Sequence, residues 1–252
     1  NFKQYLIMGE KNIMKEFLMI FFNKYELKAI IAPGMISIMS FFTTLIIYFP
    51  DSLNLGSSLI VIILLIFYIY LFSIIARENG KMVEKKLFSQ SSNVYPTTQI
   101  LRYSDDTLNI KTKERYHSFL QENIPCIELP SYEDARDKKE NYFDDEYDSA
   151  IDWLLKNTRE DYMTAQHNME YGFYRNLLGI KYIGIIIVLI SIVFSIVVFI
   201  LSQENVTIQL VLSSIINVFF LYFWIFKVTK TQTRKSAKRY AQSLLANCDF
   251  KS

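Results

Sequence analysis

Glycine, proline, cysteine and histidine are all scarce in this chain of 252 residues, which has 7, 5, 2 and 2 of them respectively. So few turn-forming residues favour long helices joined by few turns. The two cysteines, Cys126 and Cys248, form no CxxC pair, and the spacing of a zinc site is missing. The composition therefore excludes a disulfide framework, and we expect no metal site.

The common signatures of catalysis and of phosphate binding are also absent. The chain has no P-loop and no GxGxxG, GxSxG or HExxH motif, and His117 and His167 belong to no such pattern. We therefore expect no catalytic residues, no cofactor and no enzymatic activity.

Charge is missing from four long runs, at residues 29–50, 52–76, 182–203 and 205–226, which hold 22, 25, 22 and 22 residues. A helix rises 1.5 Å per residue, so 22 residues extend about 33 Å, close to the thickness of a bilayer's hydrocarbon core. The runs predict an all-α membrane protein with four spans.

Lysine and arginine are absent from the two short connectors between paired runs, whose only charges are Asp51 and Glu204. Of the 27 basic residues, 5 precede the first run, 15 lie between the second and third, and 7 follow the last. The positive-inside rule then predicts cytoplasmic termini, a cytoplasmic middle segment and external connectors. The connectors are short enough for two tight hairpins.

These observations predict five segments. They are an amphipathic N-terminal helix (1–28), a first transmembrane hairpin (29–76), a cytoplasmic helical domain (77–181), a second transmembrane hairpin (182–226) and a basic cytoplasmic C-terminal helix (227–252). The first segment suits the inner interface or packing on the protein's own cytoplasmic part. The last is predicted to continue span four, its charges facing the anionic inner leaflet and its apolar side docking on the middle domain or another subunit.

Two helices are predicted inside the middle domain from their periodicity. Residues 133–152 are acidic but carry an apolar stripe, so we expect one helix with a solvated acidic face. Calcium or a basic partner is the alternative, although the spaced ligands and turn glycine of a calcium loop are missing. A final helix from residue 160 is expected to run without interruption into span three.

Polar side chains at helical spacing lie inside two of the spans. They are Gln209, Ser213 and Asn217 in span four, and Ser37, Ser40 and Thr44 in span one. An amide within the bilayer is costly unless it meets a partner helix or water. Both alternatives remain open: contact between helices, or the lining of a water-filled path.

Residues 171–181, just before span three, form the most unusual polar stretch. Gly172, Arg175, Asn176 and Gly179 are hinge or ligand-contact candidates, because two of the few glycines flank the polar pair. The alternative is an ordinary membrane-entry collar whose basic residues meet lipid phosphates.

Basic and aromatic residues alternate near the middle of the domain. They are Arg102, Tyr103, Lys111, Lys113, Arg115 and Tyr116. Guanidinium and ammonium groups pair with phosphates, and tyrosine rings stack on bases, so this stretch is a candidate for binding an anionic nucleotide signal. A solvated helix face is the alternative.

The layout of the whole chain, two hairpins around a helical insert of 105 residues, resembles the four-transmembrane effectors associated with SMODS nucleotidyltransferases in CBASS anti-phage systems. Residues 95–102 and 171–181 are also similar to bacterial proteins of this kind. The resemblance implies an oligomeric bacterial inner-membrane effector that responds to a cyclic oligonucleotide and permeabilises the infected cell's membrane. It transfers no ligand-binding residues.

Two other functions remain open from the residues themselves. One is a structural or regulatory membrane subunit that anchors a cytoplasmic partner, and the other is a small constitutive ion channel. The expected partners are the lipid bilayer, further copies of the chain and a cyclic oligonucleotide. A nucleic-acid polymer is not expected, because the inner leaflet explains the basic C-terminal segment more simply.

Overall fold

The computed structural model describes residues 23–50, 55–89, 94–139, 141–158, 161–202 and 205–250. Over these residues it is all-helical, with 84% helix and no strand, which confirms the all-α prediction. The helices are α1 (Ala32–Tyr48), α2 (Leu55–Ser89), α3 (Pro96–Leu101), α4 (Ile110–Asn123), α5 (Tyr132–Asp137), α6 (Asp144–Asn157), α7 (Tyr162–Leu201), α8 (Thr207–Tyr222), α9 (Lys230–Leu245) and α10 (Asn247–Phe250).

Two π-helical turns adjoin the spans, Glu26–Ile31 before α1 and Phe223–Lys227 after α8. Most of the predicted N-terminal helix, and the connector charges Asp51 and Glu204, lie outside the described residues.

Four stretches are long and apolar enough to cross a membrane: Glu26–Tyr48, Ile60–Phe88, Tyr162–Leu201 and Thr207–Lys227. Their mean hydropathy lies between 2.0 and 3.3, and they expose many large apolar side chains. A surface of this kind suits lipid and not water. The four predicted spans are therefore confirmed by length and composition.

The chain forms two compact units. The bundle unit contains residues 23–81 and Arg175–Val228, and the helical unit contains Met82–Tyr174 and residues 229–250. Helices α2 and α7 each contribute residues to both units. The boundaries differ from the predicted domain of residues 77–181. The C-terminal segment, expected to dock on the middle domain or another subunit, belongs to the helical unit.

Small residues allow close helix contacts in the bundle unit. A Cβ atom built on Gly34 of α1 would clash with Ser73 and Ile69 of α2, and one on Gly179 of α7 would lie 2.8 Å from the Cα of Gly80. Gly184 of α7 faces the indole ring of Trp224 in the same way. Packing of this closeness is the main attraction between helices in lipid, where no hydrophobic force draws them together.

The helical unit has a conventional apolar core. It is built from the buried side chains Ile100, Leu101, Tyr116, Phe119, Leu120, Tyr147, Leu154, Leu244 and Leu245. The stripe of α6 faces this core, because Tyr147, Ile151 and Leu154 recur at helical spacing and are all buried. The apolar side of α9 packs there too, so it docks on its own chain.

Two predicted helix boundaries are wrong. Residues 133–152 do not form one helix, because α5 starts with a capping box between Ser131 and Asp134 and ends at Lys138, whose backbone is extended. The C-terminal segment does not continue span four, since Val228 is extended and the Thr229 side chain caps a new helix by accepting from the Gln232 N–H. By contrast, α7 runs through Lys181 into span three as expected.

Candidate functional site

The polar stripes of spans one and four meet inside the bundle unit. Asn217 Nδ2 of α8 donates to Thr44 Oγ1 of α1 at 3.3 Å, and both side chains are fully buried. Ser213 is also fully buried, whereas Gln209 is half-buried. Five of the six stripe residues therefore lie in the interior of a single subunit. This geometry is that of contact between helices.

The two stripes, Ser37, Ser40 and Thr44 of α1 with Gln209, Ser213 and Asn217 of α8, are called the seam below. Most hydroxyl groups of the seam donate hydrogen bonds to carbonyl groups of their own helix. Ser37 donates to the Gly34 carbonyl at 2.7 Å, Thr44 to the Ser40 carbonyl at 2.8 Å, and Ser213 to the Leu210 carbonyl at 3.1 Å. Such bonds satisfy a hydroxyl without a partner helix or water. Most hydroxyl groups of the seam therefore have a hydrogen-bond acceptor within their own helix.

Two buried atoms of the seam are exceptions. Ser40 Oγ and Asn217 Oδ1 have no hydrogen-bond partner among the described residues. The first is a hydroxyl that can donate, and the second is a carbonyl oxygen that can only accept. Hydration would satisfy both atoms, since water accepts from a hydroxyl group and donates to a carbonyl oxygen.

Among the hinge candidates, Asn176 makes a hydrogen bond between α7 and the turn before α1. Asn176 is fully buried, and its Nδ2 donates to the Ala29 carbonyl, within the π-helical turn before α1, at 2.7 Å. Arg175 Nε donates to Asn176 Oδ1 at 3.2 Å. Helix α7 is continuous through Gly172 and Gly179. The amide of Asn176 therefore joins α7 to the π-helical turn before α1.

Lys181 belongs to the stretch whose basic residues were interpreted as contacts of lipid phosphates. Its Nζ donates to the carbonyls of Ile225 and Val228 at 3.2 and 2.8 Å, where the π-helical turn after α8 ends. Gly80 was missed by the sequence analysis. Gly80 provides the α2 side of the close contact with Gly179. An isolated glycine within a charged helical stretch was the available signal for Gly80.

Of the proposed signal-binding stretch, the structure buries Arg102, Lys113 and Tyr116. Arg102, 2% exposed, forms a bidentate ion pair with Asp144 at 2.9 and 2.5 Å. Lys113 is buried and donates to the carbonyls of Arg102 and Asp105. Burial lowers the pKa of Lys113, although Asp105 and Asp106 act in the opposite direction. These cations stabilise the loop between α3 and α4.

Arg115 and Tyr116 share one carboxylate partner. Arg115 Nε donates to Asp249 at 2.6 Å, and the Tyr116 hydroxyl donates to the same carboxylate at 3.0 Å. Burial raises the pKa of Tyr116 to about 12. Lys111 is exposed. The structure therefore does not present the basic and aromatic side chains of this stretch together on one exposed surface.

Each of the two units contains cavities. The bundle unit has an apolar cavity of about 570 Å³, lined by Phe41, Phe42, Leu64, Tyr68, Phe72 and Ile187 among others. The helical unit has cavities of about 660 Å³, beside His167 and Arg239, and about 380 Å³, beside Glu84 and Tyr171. No group of three His, Cys, Asp or Glu side chains among the described residues is arranged to hold a metal ion.

Comparison with known proteins finds no matching protein family, no matching curated protein and no matching solved structure. The candidate function therefore depends on the chain's own geometry and chemistry.

Proposed function

We propose that this protein is a bacterial inner-membrane effector that oligomerises and permeabilises the membrane when a cytoplasmic signal acts on the helical unit. The observation that carries the proposal is α7, a continuous helix of 40 residues that begins in the helical unit and includes the third span. Because the helix is unbroken, a change in its first half can be transmitted along it to the second.

The seam of spans one and four is the proposed permeation element. In the described arrangement Asn217 contacts Thr44 inside one subunit, so this arrangement corresponds to a closed state. Permeation would require α1 and α8 to separate and several subunits to assemble about an axis, because four helices are too few to enclose a wide aqueous path. The two unpartnered atoms, Ser40 Oγ and Asn217 Oδ1, support this proposal, since hydration would satisfy them.

Dye release from liposomes containing the purified protein, with and without a panel of cyclic oligonucleotides, tests this function. We expect release only with the activating oligonucleotide. Release without any addition would instead indicate a constitutive channel.

Calorimetric titration with the same panel tests binding, and Lys111→Met and Arg115→Met would weaken binding if the surface cations contact the signal. If no oligonucleotide of the panel gave binding heat or a thermal shift with the unchanged protein, an oligonucleotide signal would be excluded.

Substitution in the seam gives the sharper prediction. Asn217→Leu and Gln209→Leu should abolish dye release and leave the oligomer intact, because they replace the polar groups of the opened path. Val218→Leu is the matched control, because Val218 adjoins Asn217 in sequence and is 63% exposed on the outer face of α8. Oligomer size and leakage are measured on the same preparations. Normally assembled Asn217→Leu protein that still leaks would contradict the pore assignment.

A non-enzymatic membrane anchor or regulatory subunit for a cytoplasmic partner is the second candidate. Two features of the seam favour this second candidate: most of its side chains are buried, and most of its hydroxyl groups bond to their own helix. Helix packing alone explains both features. In that case no oligonucleotide produces leakage. Asn217→Leu should then cost about 0.6 to 2 kcal/mol of bundle stability through the lost contact with Thr44.

A further inference from the structure

The apolar cavity of about 570 Å³ lies between α1, α2 and α7 of the bundle unit. Its lining consists mainly of aliphatic and phenylalanine side chains, such as Phe42, Leu45, Leu65 and Ile187. Among the described lining residues none is charged, and the Tyr68 hydroxyl is the one polar side-chain group. All three helices belong to stretches long and apolar enough to cross a membrane, so hydrocarbon would surround this cavity.

The cavity is elongated along the helix axes. Its lining comes from residues 38–49, at α1, and residues 61–72 of α2, which is about 16 Å of each helix. At one end of the cavity the two helices touch, because a Cβ atom on Gly34 would clash with Ser73, the residue after Phe72. One leaflet of a bilayer's hydrocarbon core is about 15 Å thick. The cavity therefore has the length of one acyl chain.

The chemistry and width of the cavity exclude other occupants. Water does not enter a cavity lined by apolar side chains, which stays dry but takes up apolar molecules. A helix from a second copy is about 10 Å across and would need roughly 1,300 Å³ over the same length. An empty cavity would deprive its lining of dispersion contacts, and those contacts are what holds helices together in lipid. A single hydrocarbon chain is both apolar enough and thin enough.

The cavity is accessible from the side, because α2 packs loosely. The buried share of the apolar window of this span is 11%, against 28% for the span that contains α1. Leu64 and Tyr68 of α2 line the cavity and are still 48% and 47% exposed. An acyl chain can therefore enter from the surrounding bilayer without passing through the bundle.

We propose that this cavity binds one acyl chain of a membrane phospholipid, which fills the gap between α1 and α2 and stays bound when the protein is extracted into detergent. The headgroup lies outside the cavity, so the site selects the chain. The proposal is independent of the permeation function, because none of the described lining residues belongs to the seam and its test does not measure dye release.

Photolabelling of the full chain in detergent micelles tests this proposal. The probe is a phosphatidylcholine that carries a diazirine midway along one acyl chain, and mass spectrometry after chymotryptic digestion identifies the labelled sites. We expect labelling around Phe42 and Leu45 of α1 that saturates at about one lipid per chain, and an excess of unlabelled phosphatidylcholine should reduce it about fivefold or more.

Variants that fill the cavity separate a bound chain from general lipid contact. Leu65→Trp should reduce labelling at Phe42 about fivefold or more, because the indole ring occupies the space of the chain. Leu45→Trp fills the cavity from α1 and replaces Leu65→Trp if that variant assembles poorly, which the thermal midpoint checks.

Ile62→Trp is the matched control. It places the same ring on the same helix, but Ile62 is 53% exposed and does not line the cavity. Labelling at Phe42 should therefore stay within about twofold of its level in the unchanged protein.

Three results would overturn the proposal. Labelling that does not saturate, or that falls equally in Leu65→Trp and Ile62→Trp, would show general contact with lipid only. No labelling around Phe42 would exclude an acyl chain from the cavity. Labelling of the monomer but not of the oligomer would assign the cavity to a second copy of the chain.

Discussion

Asn217 illustrates how a single residue constrains a membrane bundle. Its amide is fully buried within a span, one end bonded to Thr44 and the other without a partner among the described residues. An unsatisfied buried carbonyl costs about 1 to 3 kcal/mol. A protein that keeps such a group either holds a water there or uses the group in another conformation, and the leakage experiment distinguishes these cases.

Arg102 is the residue whose substitution should most disturb the helical unit. Arg102→Met would leave Asp144 without its bidentate partner in a partly buried site, and we expect a loss of about 3 kcal/mol of unfolding free energy. The measurement is chemical denaturation of the protein in detergent.

Lys111→Met is the control for this prediction, because Lys111 belongs to the same basic stretch but is exposed. Its effect should stay below about 0.5 kcal/mol. If both variants were equally stable and both lost oligonucleotide binding, Arg102 would be a ligand contact and not a structural cation.

His117 should make the helical unit sensitive to acid. Its ring nitrogens lie 3.3 Å from the Pro130 carbonyl and 3.1 Å from the Leu101 carbonyl, and burial lowers its pKa despite these two contacts. The unfolded chain therefore takes up the proton more readily. The stability contributed by neutral His117 is complete above about pH 6.5, the unfolded value, and is lost as the pH falls towards the lowered folded value.

Thermal unfolding between pH 8 and 5, followed by Trp153 fluorescence in a Trp224→Phe background, measures this loss. The His117→Gln protein should show a smaller decrease of its midpoint than the protein with His117. Identical pH profiles would show that His117 does not titrate in this range.

At the scale of elements, the contact between α2 and α7 depends on two glycines. A Cβ atom on Gly179 would lie 2.8 Å from the Gly80 Cα and 2.7 Å from the Asn79 carbonyl carbon, both of which are backbone atoms. Backbone cannot rotate away, so Gly179→Ala should force the helices apart and cost roughly 1 to 3 kcal/mol.

The direction of the change in stability tests whether the close contact exists. Replacing glycine by alanine within a helix normally stabilises it by about 1 kcal/mol. A raised thermal midpoint for Gly179→Ala would therefore contradict the close contact. A Cβ atom on Gly80 would meet the Asn176 side chain and lie 3.0 Å from the Asn176 Cα, so Gly80→Ala should also destabilise the packing of α2 on α7. The double variant should cost less than the sum, because both changes push the same two helices apart.

At the scale of the whole molecule, the distribution of basic residues predicts the orientation in the membrane. Single cysteines replacing Asn54 or Glu204 should react with an impermeant maleimide added outside, whereas cysteines replacing Lys138 or Lys235 should react only after lysis. External labelling at position 138 or 235 would overturn the orientation.

The labelling needs a background without reactive thiols. Cys126 is exposed and is replaced by serine. Cys248 can remain, because it is buried and burial raises its thiol pKa to about 12, which leaves almost no reactive thiolate at neutral pH.

The sequence by itself determined the four spans and the all-helical class. Both follow from length, missing charge and scarce turn residues, because a bilayer requires about 20 apolar residues per helix whatever the rest of the chain does. Periodicity likewise placed Asn217 and Ser213 on one face of span four, and the apolar stripe of α6 on one side of that helix.

Only the tertiary structure decided what those faces meet. Thr44 lies 173 residues from Asn217 and Asp144 lies 42 residues from Arg102, and no local pattern links such pairs. The same holds for Gly80 and Gly179, and for the apolar side chains that line the 570 Å³ cavity. Periodicity specifies the direction of a side chain relative to its own helix axis, whereas its partner depends on how all the helices pack together.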